Sequence, residues 1–171
     1  MKSEGNVAFD LNRLSTMKKT TVVGSLLAVL IVAMPMVAHA GLGDTISGPE
    51  QAQAQGQTLY RSQRGFAVYE GTQPLYEVTV HQYVANASGK VFAVDWSGPR
   101  MPDLKSLLGG YFDAYQAARS NGPKRGLHSL AIETPDLVMY ANGPNGNVQG
   151  RAWAPALVPA NIDAETVVGG R

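Results

Sequence analysis

Ser97, His81 and Asp95 offer a hydroxyl, an imidazole and a carboxylate, the parts of an activated nucleophile in which the acid orients the base and the base bonds the hydroxyl. Whether they meet depends on the turn between them. Asn86-Ala87-Ser88-Gly89-Lys90 places glycine third in a three-residue loop, where a bulged hairpin needs a left-handed residue. A two-residue Ser88-Gly89 turn would instead push serine to positive φ. The preferred loop sets Val84 opposite Phe92, Gln82 opposite Val94 and Val80 opposite Trp96, and therefore His81 opposite Asp95 and Thr79 opposite Ser97. One face then carries Tyr76, Val78, Val80, Val84, Phe92, Val94 and Trp96. The other carries the three candidates, with Tyr69, Tyr83 and His81 as a possible partner surface. Catalysis would further need an oxyanion hole and a concave site, and neither is visible in the sequence. Cross-strand charges and hydroxyls are ordinary stabilisers of a solvated sheet face, about 0.2–1 kcal/mol per pair. No residue is assigned a catalytic role on this evidence; Ser97, His81 and Asp95 are the candidates should a pocket flank them.

Other chemistry is sparse. Zinc-protease, phosphate-loop, dinucleotide, calcium-loop and Gly-x-Ser-x-Gly patterns are all absent. His128 shares a strand face with Leu130 and Ile132, where a lone histidine packs, because a metal needs several convergent ligands. No metal and no cofactor is expected. The chain contains no cysteine, which excludes thiol catalysis, thiolate metal sites, lipoprotein attachment and C-x-x-C-H haem.

The elements that position these residues follow from periodicity. Phe66 to Glu70, Leu75 to Ala85 and Lys90 to Ser97 alternate apolar and polar residues and predict a three-strand antiparallel meander. Leu104, Leu107, Leu108, Tyr111, Phe112, Tyr115 and Ala118 recur at helical spacing after Pro102, predicting one amphipathic helix packed on one sheet face. Gly109 and Gly110 inside it cost about 1 kcal/mol each, less than the burial of its large side chains returns. Three further strands are expected at Leu127 to Thr134, Asp136 to Ala141 and Val148 to Trp153. The fold class is α+β.

Ahead of this domain stands an export signal. Lys18 and Lys19 precede an uncharged run whose apolar core, Val22 to Val37, is shorter than the ~20 residues of a membrane-spanning helix, and Ala38-His39-Ala40 is a small-x-small cleavage site. Residues 1–16 read as an upstream start placed too early, 17–40 as the signal peptide, 41–63 as a flexible leader, 64–160 as the single α+β domain and 161–171 as a C-terminal tail. Cleavage after Ala40 leaves no stable membrane anchor and sends the chain to the periplasm or the exterior. Of the 14 basic and 13 acidic residues, Lys2, Arg13, Lys18, Lys19, Glu4 and Asp10 leave with residues 1–40, so the remainder has 10 and 11 and a net charge of −1. Such a balance lacks the basic excess of a nucleic-acid binder, and Lys124-Arg125 reads as a solvated loop.

Val91-Phe92-Ala93-Val94-Asp95-Trp96-Ser97-Gly98-Pro99, the run Met101-Pro102-Asp103-Leu104 through Leu107-Leu108-Gly109-Gly110-Tyr111-Phe112, and Gly150-Arg151-Ala152-Trp153 with Pro155-Ala156-Leu157-Val158-Pro159 resemble domain-of-unknown-function family 2844, exported proteins of proteobacteria. Asp95 departs from the small or apolar residue expected at its place in that motif. The resemblance implies export and a single domain, and it carries no catalytic residue with it. Together the residues point to a non-enzymatic binding or accessory component with an envelope protein or small ligand as partner. The alternatives are a hydrolase using Ser97, His81 and Asp95, and a structural subunit of a secreted assembly, which would present an uncovered edge strand.

Overall fold

The computed structural model describes residues 40–121, 129–143 and 146–169. Among them, seven strands form one antiparallel sheet: β1 (Thr58–Gln63), β2 (Phe66–Gln73), β3 (Val78–Ala85), β4 (Val91–Gly98), β5 (Ser129–Glu133), β6 (Val138–Asn142) and β7 (Val148–Trp153). Their spatial order is β1-β2-β3-β4-β7-β6-β5. The chain runs a four-strand meander, leaves for a helical segment, and returns so that β7 pairs with β4. With the short helices α1 (Pro49–Ala54), α2 (Leu104–Leu108), α3 (Phe112–Asn121) and α4 (Ala164–Val167), the fold is α+β.

The meander has one strand more than periodicity predicts. β1 lies within the expected leader and pairs with β2 across a turn in which Gly65 takes φ +98°. Five of its six residues are exposed, so it lacks the apolar alternation by which a half-buried strand is read. The preceding segment is no free leader either: Leu42, Ile46 and Ala52 are buried in the core. Its backbone bonds across the fold, with Leu42 N–H donating to the Leu107 carbonyl at 3.0 Å and Gly43 N–H to the Val91 carbonyl at 2.8 Å.

At the β3–β4 turn Gly89 is left-handed, with φ +67°, but the loop holds four residues, because Ala85 N–H bonds the Lys90 carbonyl at 2.9 Å and Gly89 N–H bonds the Ala85 carbonyl at 2.8 Å. Val84 therefore faces Val91 instead of Phe92. A bulge one pair further on absorbs the extra residue, so Tyr83 faces Ala93, and from there the register is the expected one: Gln82 with Val94, His81 with Asp95, Val80 with Trp96 and Thr79 with Ser97. The bulge turns Phe92 away from the helix side. It joins Phe66, Val68, Tyr83 and Ala93 on the opposite face.

The single predicted helix is two. Asp103 caps α2 by accepting from the N–H groups of Lys105 and Ser106, and Gly109 ends it at φ +51°, a conformation open to glycine. A turn of 3₁₀ helix, Gly109–Tyr111, leads into α3. The break is where the N-terminal segment crosses: a Cβ at Gly41 would lie 2.8 Å from Gly109 Cα, so both positions need to be bare. Leu107, Leu108 and Tyr115 are buried against Val80, Val94 and Trp96, whereas Phe112 is half-buried and stacks on Tyr115. Tyr69 also belongs to this helix-side core, because it pairs with Gln82; it is not on the partner face where alternation put it.

The opposite face is covered at one end by the supposed tail. Val168 and Ala164 of the α4 segment are buried, with Ile162 and Val167 packed beside them, against Phe66, Phe92 and Trp153. No helix among the described residues is long and apolar enough to cross a membrane. His128, Lys124, Arg125 and the signal segment before Ala40 lie outside the described residues.

Candidate functional site

Strand register sorts the face away from α2 and α3 into three rows that run across the strands. The first is apolar, Val68-Tyr83-Ala93-Trp153-Val138, and this is the row that α4 covers. Next comes Glu70-His81-Asp95-Arg151-Tyr140, in which charge alternates from strand to strand. The third is Thr72-Thr79-Ser97-Gln149-Asn142-Ser129, six hydroxyls and amides on six adjacent strands. At about 4.8 Å per strand this polar row spans roughly 24 Å.

Above the second and third rows lies a concavity of about 940 Å³, lined by His81, Asp95, Ser97, Gln149 and Arg151, with Tyr60 at one side and Tyr140 at the other. The candidates thus do flank a hollow. Its floor is tightly bonded. His81 Nδ1 is 2.8 Å from Asp95 Oδ1, and His81 Nε2 is 3.1 Å from Glu70 Oε2. Tyr83 donates its hydroxyl to Asp95 Oδ2 at 2.6 Å and accepts the N–H of Gly169 at 3.2 Å, which ties the network to the segment after α4. The Tyr60 ring lies over the imidazole with centroids 4.8 Å apart.

Each ring nitrogen of His81 faces a carboxylate, and a carboxylate can only accept, so both nitrogens are donors in the charged imidazolium. The hydrogen bond to Asp95 is the main reason the His81 pKa is raised from its ordinary 6.5; burial opposes it, and the Asp95 charge and Glu70 add to it. Burial and the Asp95 charge together push the Tyr83 hydroxyl up as well. A general base needs a free lone pair aimed at its nucleophile. Here Asp95 and Glu70 occupy both positions, and Ser97 stands two residue pairs along the ladder, opposite Thr79 and Gln149. The structure brings Ser97, His81 and Asp95 to one face but does not link the hydroxyl to the imidazole.

Two arginines give the hollow its polarity. Arg151 lies over the rings of Tyr140 (5.4 Å) and Trp153 (5.7 Å) and donates to the carbonyls of Glu165 and Val168, and among the described residues it forms no ion pair, although Asp95 is its cross-strand neighbour. Arg61 sits beside Tyr83, and its Nε is buried without a partner. The one carboxylate in the lining, Asp95, has both oxygens engaged. No group of three or more His, Asp or Glu side chains among the described residues is arranged to hold a metal.

Glu70, Tyr60, Arg61 and Arg151 were not legible as site residues. Glu70 could have been found by extending the β3 register one strand outward, and Arg151 by pairing its motif with that of Asp95. Tyr60 and Arg61 belong to the strand that has no alternation.

The family model described as a protein of unknown function, DUF2844, matches residues 38–167, which span the whole sheet and all four helices. The chain belongs to the DUF2844 family. The three motifs that carried the resemblance fall on β4, on α2 with the start of α3, and on β7 with the turn after it. In this DUF2844 chain those elements are the centre of the sheet and its main helical cover, and the family description assigns them no activity. No curated protein and no solved structure matches the chain.

Proposed function

We propose that this DUF2844 protein is exported and acts by binding, with the three-row face as its ligand surface. The observation that carries the reading is the imbalance in the hollow: Asp95 is spent on His81 and Tyr83, while Arg61 and Arg151 have no carboxylate partner among the described residues. An acidic ligand complements that lining, and the adjoining row of hydroxyls and amides suits one rich in hydroxyl groups. Tyr60, 60 % exposed, and Tyr140 supply flat apolar surfaces of the kind on which sugar rings rest. The ligand class is therefore an acidic glycan.

The probe pair is a hexamer of galacturonic acid and a neutral hexamer of glucose, titrated into the protein with amide shifts followed by NMR. The acidic hexamer should perturb residues of β1, β4 and β7 around Arg61, Ser97 and Arg151 and bind several-fold more tightly than the neutral one. Replacing Arg61 by glutamine should erase most of that difference. Equal binding of both hexamers, or shifts confined to another surface, would sink the proposal. A structural role is favoured by one feature, the outer edge of β1 with Leu59 and Tyr60 exposed. It predicts concentration-dependent broadening of β1 amides in the same spectra without any ligand.

A further inference from the structure

We infer that the folded domain contains a receptor for its own processed N-terminus: the Asp44 carboxylate and the Gln82–Gln57 amide pair are placed to hold the α-ammonium of Gly41 once the Ala40–Gly41 bond is hydrolysed. The inference rests on the export reading and goes beyond it, because a signal sequence requires only that the chain be cut, not that the new end be bound.

Gly41 is buried, and its backbone nitrogen lies 2.6 Å from Asp44 Oδ2. Its surroundings admit no side chain, since a Cβ would lie 2.7 Å from the Ser106 carbonyl oxygen and 2.9 Å from the Gly109 nitrogen. The residue after the cleavage site is thus dictated by the fold. Leu42, 1 % exposed and bonded to the Leu107 carbonyl, anchors the chain directly behind it. On the other side, the Ala40 carbonyl accepts from Gln82 Nε2, and Gln82 Oε1 accepts from Gln57 Nε2 at 2.5 Å. Both glutamines are 1 % exposed, and Gln57 Oε1 has no partner.

Hydrolysis adds water across the bond: the hydroxyl goes to the departing Ala40 carboxyl, and the nitrogen of Gly41 becomes an ammonium. With Ala40 gone the Gln82 amide loses the acceptor it held, and the ammonium is the part of the cut bond that stays. A carboxamide has nearly the same shape in both orientations and opposite polarity. Turning both amides points Gln82 Oε1 at the ammonium and Gln82 Nε2 at Gln57 Oε1, the acceptor left over before cleavage. Asp44 then faces a charged donor, an ion pair in place of its bond to a neutral N–H. Among the described residues contacting Gly41 and Ala40, Asp44 is the titratable one; α2 and the glycine that ends it present the Ser106 carbonyl and the Gly109 backbone, and β3 presents the uncharged Gln82. The scissile bond lies between two buried residues, so hydrolysis must precede folding.

The test uses protein exported from the full-length chain. Its mass fixes the first residue, and its unfolding is followed from pH 6 to pH 10 alongside Asp44→Asn and alongside protein whose Gly41 amine has been converted to a carbonyl by transamination. Asp44 should raise the folded-state value of the amine above its ordinary ~7.7–8.0, so the added stability is complete below that range and is lost as pH rises through the folded value. Because Asp44 is exposed, the expected change in the folding equilibrium is about fivefold, that of a good surface ion pair, and it should be missing from both altered proteins. A Gly41 start with three identical pH profiles overturns the receptor alone. A start at any other residue overturns the export site as well.

Discussion

Replacing Phe92 by alanine will cost the fold about 3–5 kcal/mol, the range for deleting a large aromatic side chain from a packed core. Phe92 is 0 % exposed, and its ring meets those of Phe66 and Tyr83 edge-on at 6.0 and 6.1 Å. The sharper expectation concerns its partners. Because the bulge in β4 turns Phe92 away from α2, a double variant with Phe66→Leu should be non-additive by more than 0.5 kcal/mol, whereas one with Leu108→Ala should be additive within about 0.5 kcal/mol. Denaturant titration of the two cycles measures both. Coupling to Leu108 and none to Phe66 would restore the unbulged register and undo the assignment of faces.

Gly150→Ala should be as damaging, by the opposite mechanism. Gly150 faces Trp96 across β4 and β7, and a methyl group there would sit 2.5 Å from Cε2 and 2.8 Å from Cη2 of an indole that is 1 % exposed. Alanine removes backbone entropy that favours unfolding by roughly 0.5–1 kcal/mol, yet the indole is packed in the core and can withdraw only by displacing its neighbours. Overpacking should win, with a net loss of about 3 kcal/mol. Shrinking the ring with Trp96→Phe should recover part of it, so the pair would be less damaging than the sum of its members. A Gly150→Ala variant as stable as the parent would show that the indole does not lie across β7.

What the sequence disclosed and what it hid divide along physical lines. The β3 and β4 strands alternate strongly, and the register of His81 with Asp95 was legible even though the loop length was not, because the four-residue loop and the bulge shift the pairing by equal and opposite steps. Phe92 is the residue that pays for this cancellation, since it lies between the two shifts. The helix was visible in its apolar spacing, but its break at Gly109 depends on the approach of Gly41, sixty-eight positions earlier, which no local pattern records. β1 and α4 were missed for a related reason. β1 has no buried residue of its own and is held by its pairing with β2, and α4 has only Ala164 buried within it and is held by the Phe66–Phe92 cluster, distant in sequence. In the candidate site, the residues on β3 and β4 were found, while Glu70 on β2 and the residues on β1 and β7 were not, so the hollow looked flat and Arg61 and Arg151 went unseen.

The geometry makes His81 a charged, doubly bonded part of the floor of the hollow and not the base of a nucleophile. Nitrogen-detected NMR of the imidazole across pH, in the parent and in Asp95→Asn, tests it most directly. The parent ring should titrate above its ordinary 6.5 with both nitrogens protonated below that point, and the asparagine variant should titrate lower. Stability should follow the same course: the contribution of the pair is complete below the unfolded value and is lost as pH rises through the raised folded one, and Asp95→Asn should flatten that dependence. A parent ring that titrates at or below 6.5 with Nε2 neutral and free, unchanged by Asp95→Asn, would contradict the charged, doubly bonded state and return His81 to Ser97 as a candidate base.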